Sequence, residues 1–215
     1  MSDIFVEVDE ALKQEKLENL WQKYGGLLIG AIIAIILGTA ANAGYDAWKT
    51  NHDTKQTGIY LSAIENENVT AADLIKTSEK VEGGLKTITE INAASAALKD
   101  GNKEEAAQLF AQISADDQAD ENFRALATYM TIHTSSDMST EQKLVSLEAI
   151  ANDPENPWNL YAKLDAALIL GEHQNDFTKA RKFLQEISET EKAPKTLRQK
   201  AQSINILYAL KEIKK

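Results

Sequence analysis

The sequence predicts an all-α protein in which an N-terminal transmembrane helix is followed by a solenoid of helical hairpins and a C-terminal capping helix. Three observations predict this class. The chain of 215 residues has only three prolines, all beyond residue 153, so no obligatory helix breaker lies before them. A long uncharged segment lies near the start. Turn signals then recur at intervals of 33 to 38 residues, which is typical of stacked helix pairs.

Composition excludes several classes of protein. The chain is 43% hydrophobic and 26% charged, which does not fit disorder throughout, and it has no cysteine for a disulfide framework. Its net charge of -10 argues against nucleic acid as a partner, because such binding needs clustered Lys and Arg to neutralise phosphates.

The sequence also lacks the common catalytic and phosphate-binding motifs. No GxGxxG, GxxxxGKS/T, GxSxG or HExxH pattern occurs, and His52, His133 and His173 are too far apart to form an i, i+4 ligand pair. We therefore expect no catalytic residue, no cofactor, no metal and no small-molecule substrate. An unrecognised pair of catalytic carboxylates among the 33 acidic residues stays open as an alternative.

An uncharged run covers residues 25–45, GGLLIGAIIAIILGTAANAGY. As a helix it is about 31 Å long, which matches a hydrocarbon core about 30 Å thick. Aromatic residues stand on both sides of the run, as amphipathic rings do at the two lipid–water interfaces. We therefore predict a transmembrane helix over residues 24–48 that binds membrane lipid. Its four interface anchors are Trp21, Tyr24, Tyr45 and Trp48.

Two alternatives to a membrane anchor stay open. One is a buried helix of a soluble core, although such helices seldom reach this length without a charge. The other is a cleaved secretory signal, since Ala41, Asn42 and Ala43 have the small-x-small form of a cleavage site. The first 24 residues contain six acids and three lysines, unlike the short basic leader of such a signal. A retained anchor therefore fits the sequence best.

The orientation of the anchor follows mainly from the lengths of the segments beside it. Three lysines precede the run and two follow it closely, which is a narrow difference. A short leader stays inside easily while a single signal-anchor delivers the long remainder across the membrane. We therefore place residues 1–23 in the cytoplasm and residues 49–215 outside. The leader has apolar residues at helical spacing, so it is either an amphipathic surface helix or a docking helix for a partner.

Turn signals divide the outer part of the chain. They fall at residues 66–68, 100–102, 137–139 and 175–176. Three of these turns also carry capping pairs, in which the first side chain accepts a hydrogen bond from the backbone N–H three residues on. The pairs are Thr70 with Asp73, Asn102 with Glu105, and Ser139 with Gln142.

Each turn therefore begins the second helix of a hairpin. The first helices are predicted at 46–65, 85–99, 119–134 and 157–171, and their partners at 70–82, 103–113, 140–151 and 176–190. For the helix at 157–171 we expect Asn156 as the N-cap and Pro157 at the first helical position. A last helix at 195–213 caps the stack. Its predicted buried stripe is Leu197, Ala201, Ile204, Leu207, Tyr208 and Leu210.

Two hairpins resemble the tetratricopeptide repeat. In the clearer one, six positions match the small, small, glycine, alanine, aromatic and apolar residues of that pattern: Ala94, Ala97, Gly101, Ala106, Phe110 and Ile113. The other repeats the entry to a second helix with Asn175, Asp176, Phe177, Ala180 and Leu184. Helix-pair solenoids commonly present a concave groove to peptide partners. Trp158 and Tyr161, one turn apart, are the candidate partner-binding residues, and burial in the core is the alternative for both.

The whole pattern resembles one bacterial family. The leader DIFVEVDEALKQEKLENLWQKYG, the anchor beginning YGGLLIGAIIAII, the exit GYDAWKTN and the degenerate helical repeats are similar to the YfgM-like ancillary subunits of the Sec translocon. The resemblance implies an inner-membrane protein with a tetratricopeptide-repeat-like domain in the periplasm. It also implies association with the SecYEG translocon, a membrane-anchored periplasmic chaperone and exported chains. A scaffold of a cell-envelope or division assembly is the alternative function.

Overall fold

A computed structural model describes the backbone of residues 3–66 and 68–213, and the side chains of residues 34–66 and 68–213. The described residues form nine helices and contain no strand, so the predicted all-α class is confirmed for this part of the chain. The helices are α1 (Asp3–Ile64), α2 (Ala71–Ser78), α3 (Gly83–Lys99), α4 (Lys103–Ala115), α5 (Glu121–Thr134), α6 (Thr140–Ala151), α7 (Asn159–Glu172), α8 (Phe177–Glu189) and α9 (Lys195–Ile213).

The chain divides into two compact units, residues 1–55 and residues 56–215. Within the part of the chain that the structure describes, no helix combines the length and apolarity that a bilayer span requires. The predicted span at 24–48 begins outside the described side chains. The leader 1–23 and the anchors Trp21 and Tyr24 also lie outside them.

The other two predicted anchors belong to the described part of the first unit. Tyr45 is 59% exposed and Trp48 is 62% exposed. Their ring centroids are 6.1 Å apart, and the Trp48 indole stacks on the His52 imidazole at 5.4 Å. The two aromatic rings are therefore neighbours on one side of α1, as their spacing of three residues requires.

The predicted capping pairs define the starts of three helices. Thr70 and Asp73 form a reciprocal capping box at α2, and Ser139 and Gln142 form another at α6. At α4, the Asn102 side chain accepts from the backbone N–H of Glu105. Each pair satisfies donors that a helix N-terminus leaves without partners inside the helix.

The predicted start of α7 is wrong by two residues. The helix begins at Asn159 rather than at Pro157, and its N-cap is Trp158, whose side chain makes no capping bond. Asn156 instead accepts from the backbone N–H of Trp158 at 3.0 Å. The Asn side chain thus closes a local turn before the helix, which is a common alternative to a cap for this residue type.

In the second unit, consecutive helices from α2 to α9 pack against one another, and α5 packs far more closely on α4 than on α6. The first core lies among α2, α3, α4 and α5. Ala94, Ala97 and Ala106 are at most 1% exposed there, and Phe110 fills the space beside them. Small side chains at these positions let the helices approach closely, as the repeat pattern predicts.

The second core lies among α6, α7, α8 and α9, with one contribution from α5. Its fully buried residues include Leu147, Leu170, Leu184 and Ile187. Helix α5 belongs to both cores, because Ala127 contributes to the first while Ile132 contributes to the second. The hairpin predicted between 119–134 and 140–151 is therefore open rather than closely paired.

The capping helix α9 is only partly as predicted. Leu197, Ala201 and Tyr208 are buried, whereas Leu207 and Leu210 are 48% and 56% exposed. The predicted stripe includes more residues than α9 buries. The reason is that α9 packs closely on α8 but makes few contacts with α7. The outer side of α9 also exposes Ile206 and Ile213.

Two glycines have specific roles in this packing. Gly101 has a φ of +81°, and the Asn102 N–H donates to the Ala97 carbonyl at 2.8 Å, which ends α3 in the left-handed conformation that glycine tolerates. Gly171 is the site of a close approach. A Cβ added there would lie 2.3 Å from the Cζ atom of Tyr208, a ring that is 1% exposed.

We predict that Gly171→Ala destabilises the protein by about 1–3 kcal/mol, because the added methyl group has no room beside the buried Tyr208 ring. Urea unfolding of the purified full chain, followed by circular dichroism, measures the change. Gly84→Ala is the matched control, since a Cβ at Gly84 meets nothing within 4 Å. An equal effect of both substitutions would contradict the close packing of Gly171 on Tyr208.

We also predict a pH-dependent contribution from the α2 capping box. Hydrogen bonds from the Thr70 side chain and then its backbone lower the pKa of Asp73. A carboxyl group with a depressed folded pKa stabilises the fold above its unfolded pKa, about 4, and loses that contribution as the pH falls through the folded value. Asp73→Asn should therefore reduce stability at pH 7 and reduce it less at pH 3, measured by urea unfolding at each pH.

Asp137→Asn is the control for this pH dependence. Asp137 is exposed and makes no capping bond in the described structure. If Asp73→Asn changed stability by the same amount at pH 3 and pH 7, the ionised capping carboxylate would not be the source of the effect.

Candidate functional site

The two residues predicted to bind a partner lie at the start of α7. The Trp158 ring is half-buried and packs against the second core, while Tyr161 is 38% exposed. Their ring centroids are 5.8 Å apart. The structure thus brings the two rings together. Their environments differ, because Trp158 packs against the second core and Tyr161 is exposed to solvent.

These two rings belong to a larger group, which we call the junction cluster: Tyr129, His133, Trp158, Tyr161 and Asp165. Tyr129 and His133 are four residues apart on α5, and Tyr161 and Asp165 on α7 follow its N-cap residue Trp158 at helical spacing. The Tyr129 ring stacks on Trp158 with centroids 5.8 Å apart and planes 13° apart, and it meets His133 edge-on at 4.6 Å. The cluster therefore joins α5 to α7 through long side chains.

Asp165 is the polar centre of the junction cluster. Its Oδ2 atom accepts a hydrogen bond from the Tyr129 hydroxyl and lies 3.0 Å from His133 Nε2. Burial, and then the bond to Asp165, raise the pKa of Tyr129 above its usual value. The phenol is therefore protonated at physiological pH and acts as a donor to the carboxylate.

A pocket of about 220 Å³ lies beside the junction cluster, among α5, α6 and α7. We call it the junction pocket. Its walls are mainly apolar, and three ionisable residues also line it. The lining residues are Ile132, His133, Lys143, Leu147, Asp165, Leu168 and Ile169. The loose packing of α5 on α6 leaves this space, and large side chains bridge α5 and α7 beside it.

The charges around the junction pocket are unequally compensated. Asp165 is contacted by two donors, Tyr129 and His133. Lys143 is half-buried, and no ion pair or hydrogen bond of its ammonium group occurs among the described residues. A second group that lacks a hydrogen-bond partner in the described structure is the buried Nε1 of Trp158, which belongs to the junction cluster but does not line the pocket. The site therefore offers donors more readily than acceptors.

A metal centre does not emerge from the described residues, which contain no group of three or more potential His, Asp or Glu ligands. Two of the histidines contact other side chains: His52 stacks on Trp48, and His133 contacts Asp165. Chemically, the site is suited to hold an apolar group next to an anion.

Sequence reasoning missed Tyr129, His133, Lys143 and Asp165. A signal for Asp165 exists, because it is the sole carboxylate of α7 before the final Glu172 and stands in a largely apolar helix. The i, i+4 pair of Tyr129 and His133 is a weaker signal. Nothing in the sequence placed α5 next to α7, since the two helices are separated by α6.

The fold and site define an all-helical protein in which an aromatic junction joins α5 to α7. The family model described as "Protein of unknown function (DUF2659)" matches residues 1–208, and the chain belongs to this family. The matched range includes the leader, the uncharged run and all of the junction cluster. No curated protein and no solved structure matches the chain.

We predict that Tyr129→Phe destabilises the protein by about 1–2 kcal/mol, because it removes the hydrogen bond that the Tyr129 hydroxyl donates to the Asp165 side chain. Tyr161→Phe is the matched control, since the Tyr161 hydroxyl makes no hydrogen bond among the described residues. Thermal unfolding of the two variants and the parent chain measures the difference. Similar stabilities for both variants would show that the Tyr129–Asp165 bond contributes little to the fold.

Proposed function

We propose that this protein is a non-enzymatic adaptor of the bacterial inner membrane, with residues 1–23 in the cytoplasm, residues 24–48 as a membrane anchor and residues 49–215 as a tetratricopeptide-repeat-like domain in the periplasm. It associates with the Sec translocon and a membrane-anchored periplasmic chaperone, and it assists exported proteins. The partners come from the resemblance to the YfgM-like subunits.

The observation that carries the proposal is the packing of consecutive helices through alanines at α3 and α4. Ala94 and Ala106 are fully buried at their crossing, and Gly101 ends α3 with a positive φ. These are the positions at which the repeat pattern requires small residues and a glycine. Helical repeats of this kind bury one face of each helix and leave a long surface for protein partners.

The uncharged run supports the membrane anchor. Its described part keeps large apolar side chains in the open: Ile35, Ile36 and Leu37 are 66%, 58% and 64% exposed. Exposed apolar groups on this scale are costly in water and favourable in hydrocarbon. Tyr45 and Trp48 follow the run as rings suited to the lipid interface.

A tether explains how such a domain assists export without high affinity. Attachment to the membrane confines the binding surface close to the translocon exit, which raises its effective concentration around emerging chains. The exposed ring of Tyr161 and the junction pocket are two parts of the described surface that suit transient contacts with apolar segments.

The exposed side of α9 favours the alternative function, a scaffold of an envelope or division assembly. Four large apolar side chains lie there in the open, and their spacing follows one side of a helix: Ile206, Leu207, Leu210 and Ile213. A stably bound partner helix would cover such a stripe. In that function one partner is bound permanently, and emerging chains are irrelevant.

The topology of the proposal is tested by protease treatment of sealed spheroplasts. We expect a protease added from outside to digest the helical domain beyond residue 49 while an epitope tag at the N-terminus stays protected. Lysed spheroplasts are the control, in which both parts become accessible. Protection of the helical domain in sealed spheroplasts would reverse the orientation and remove the periplasmic function.

The partners are tested by a photo-crosslinking amino acid at position 161 in intact membranes. We expect crosslinks to translocon subunits and to many newly exported chains, because Tyr161 lies on the proposed binding surface. Position 104 is the control, since Glu104 is exposed on α4, far along the chain from the junction cluster. A single crosslinked assembly protein, with no exported chains, would instead support the scaffold.

A further inference from the structure

The junction pocket is large enough to hold the side chain of one amino-acid residue. Its volume of about 220 Å³ is below the range of about 300–1,000 Å³ that is usual for pockets holding a whole small-molecule ligand. Ile132, Leu147, Leu168 and Ile169 supply apolar walls from three helices. A single large apolar side chain therefore matches both the volume and the lining.

The charge of the pocket restricts its occupant further. Asp165 is contacted by the Tyr129 hydroxyl and by His133, whereas Lys143 keeps an ammonium group without a partner in the described structure. A half-buried cation beside apolar walls favours an anion, because it has lost part of its hydration. The occupant thus carries an apolar group and an anionic group that enter the same small space.

The apolar group and the anionic group of the occupant must lie close together, because both enter the same small pocket. In an extended peptide the side chains of adjacent residues point in opposite directions, so an internal acidic residue does not place its carboxylate beside the side chain of its neighbour. A C-terminal residue does, since its α-carboxylate and its side chain leave the same Cα atom.

We propose that the junction pocket binds the C-terminal residue of a polypeptide, with its apolar side chain between α5, α6 and α7 and its carboxylate at Lys143. The contact between His133 Nε2 and Asp165 Oδ2, at 3.0 Å, positions the imidazole as one wall of the site. This inference deepens the proposed function, because it names the part of a protein partner that the domain recognises.

Peptide binding to the purified full chain in detergent micelles tests the proposal. The probe is a fluorescein-labelled peptide that ends in leucine with a free carboxylate, and its affinity is measured by fluorescence anisotropy. The comparison peptides are the same sequence with an amidated C-terminus and the same sequence ending in serine. We expect the free leucine terminus to bind about tenfold more tightly than either, which corresponds to one charge-assisted hydrogen bond.

Lys143→Gln should abolish the preference for the free carboxylate over the amide. Lys182→Gln is the matched control, since Lys182 is exposed on α8 and does not line the pocket. Circular dichroism establishes that both variants keep their helical content. Equal affinities for acid and amide in the parent chain, or an unchanged preference in Lys143→Gln, would overturn the proposal. Binding of octanoate without binding of the peptide would overturn it as well.

This experiment is independent of where the protein lies in the cell. Loss of carboxylate recognition with crosslinks to the translocon intact would remove the inference and leave the proposed function. Recognition of the peptide terminus without translocon crosslinks would keep the inference and remove the proposed function.

Discussion

Helix α5 is the element on which the rest of the second unit depends, because it belongs to two cores at once. Its alanine face closes on α4, where Ala127 is fully buried. Its opposite face carries Tyr129 and Ile132, which pack towards α7 and the second core. Helix α5 packs closely on α4 and loosely on α6, and it reaches α7 through the side chains of the junction cluster.

The separation has a chemical consequence. Long side chains bridge α5 and α7 where backbones do not approach closely, and Asp165 holds two of them through Tyr129 and His133. The space left between α5 and α6 is the junction pocket, and it is lined by Lys143, which has no ion pair among the described residues. The loose packing of α5 on α6 thus accompanies both features, the aromatic stacking between α5 and α7 and the junction pocket beside it. A change in the packing of either core would therefore change the shape of the junction pocket.

Much of the fold was predictable from local signals, and the reason is that helix ends are decided locally. The capping pairs at Thr70 and Ser139 contain both partners within four residues, so the sequence reveals them directly. The turn at Gly101 is similar, because a positive φ selects glycine. The start of α7 was misjudged because Asn156 can close a turn as well as cap a helix, and local sequence does not decide between these uses.

The sequence by itself determined the helical class, most helix boundaries, the close crossing of α3 with α4, and the uncharged run at residues 25–45. Only the tertiary structure decided that α5 packs loosely on α6 and reaches α7 through long side chains, that Leu207 and Leu210 are exposed, and that Gly171 lies against Tyr208. The physical reason is the sequence separation over which each interaction acts. Caps, turns and apolar periodicity act within a few residues, whereas the junction cluster joins side chains 36 residues apart whose proximity depends on the packing of every helix between them.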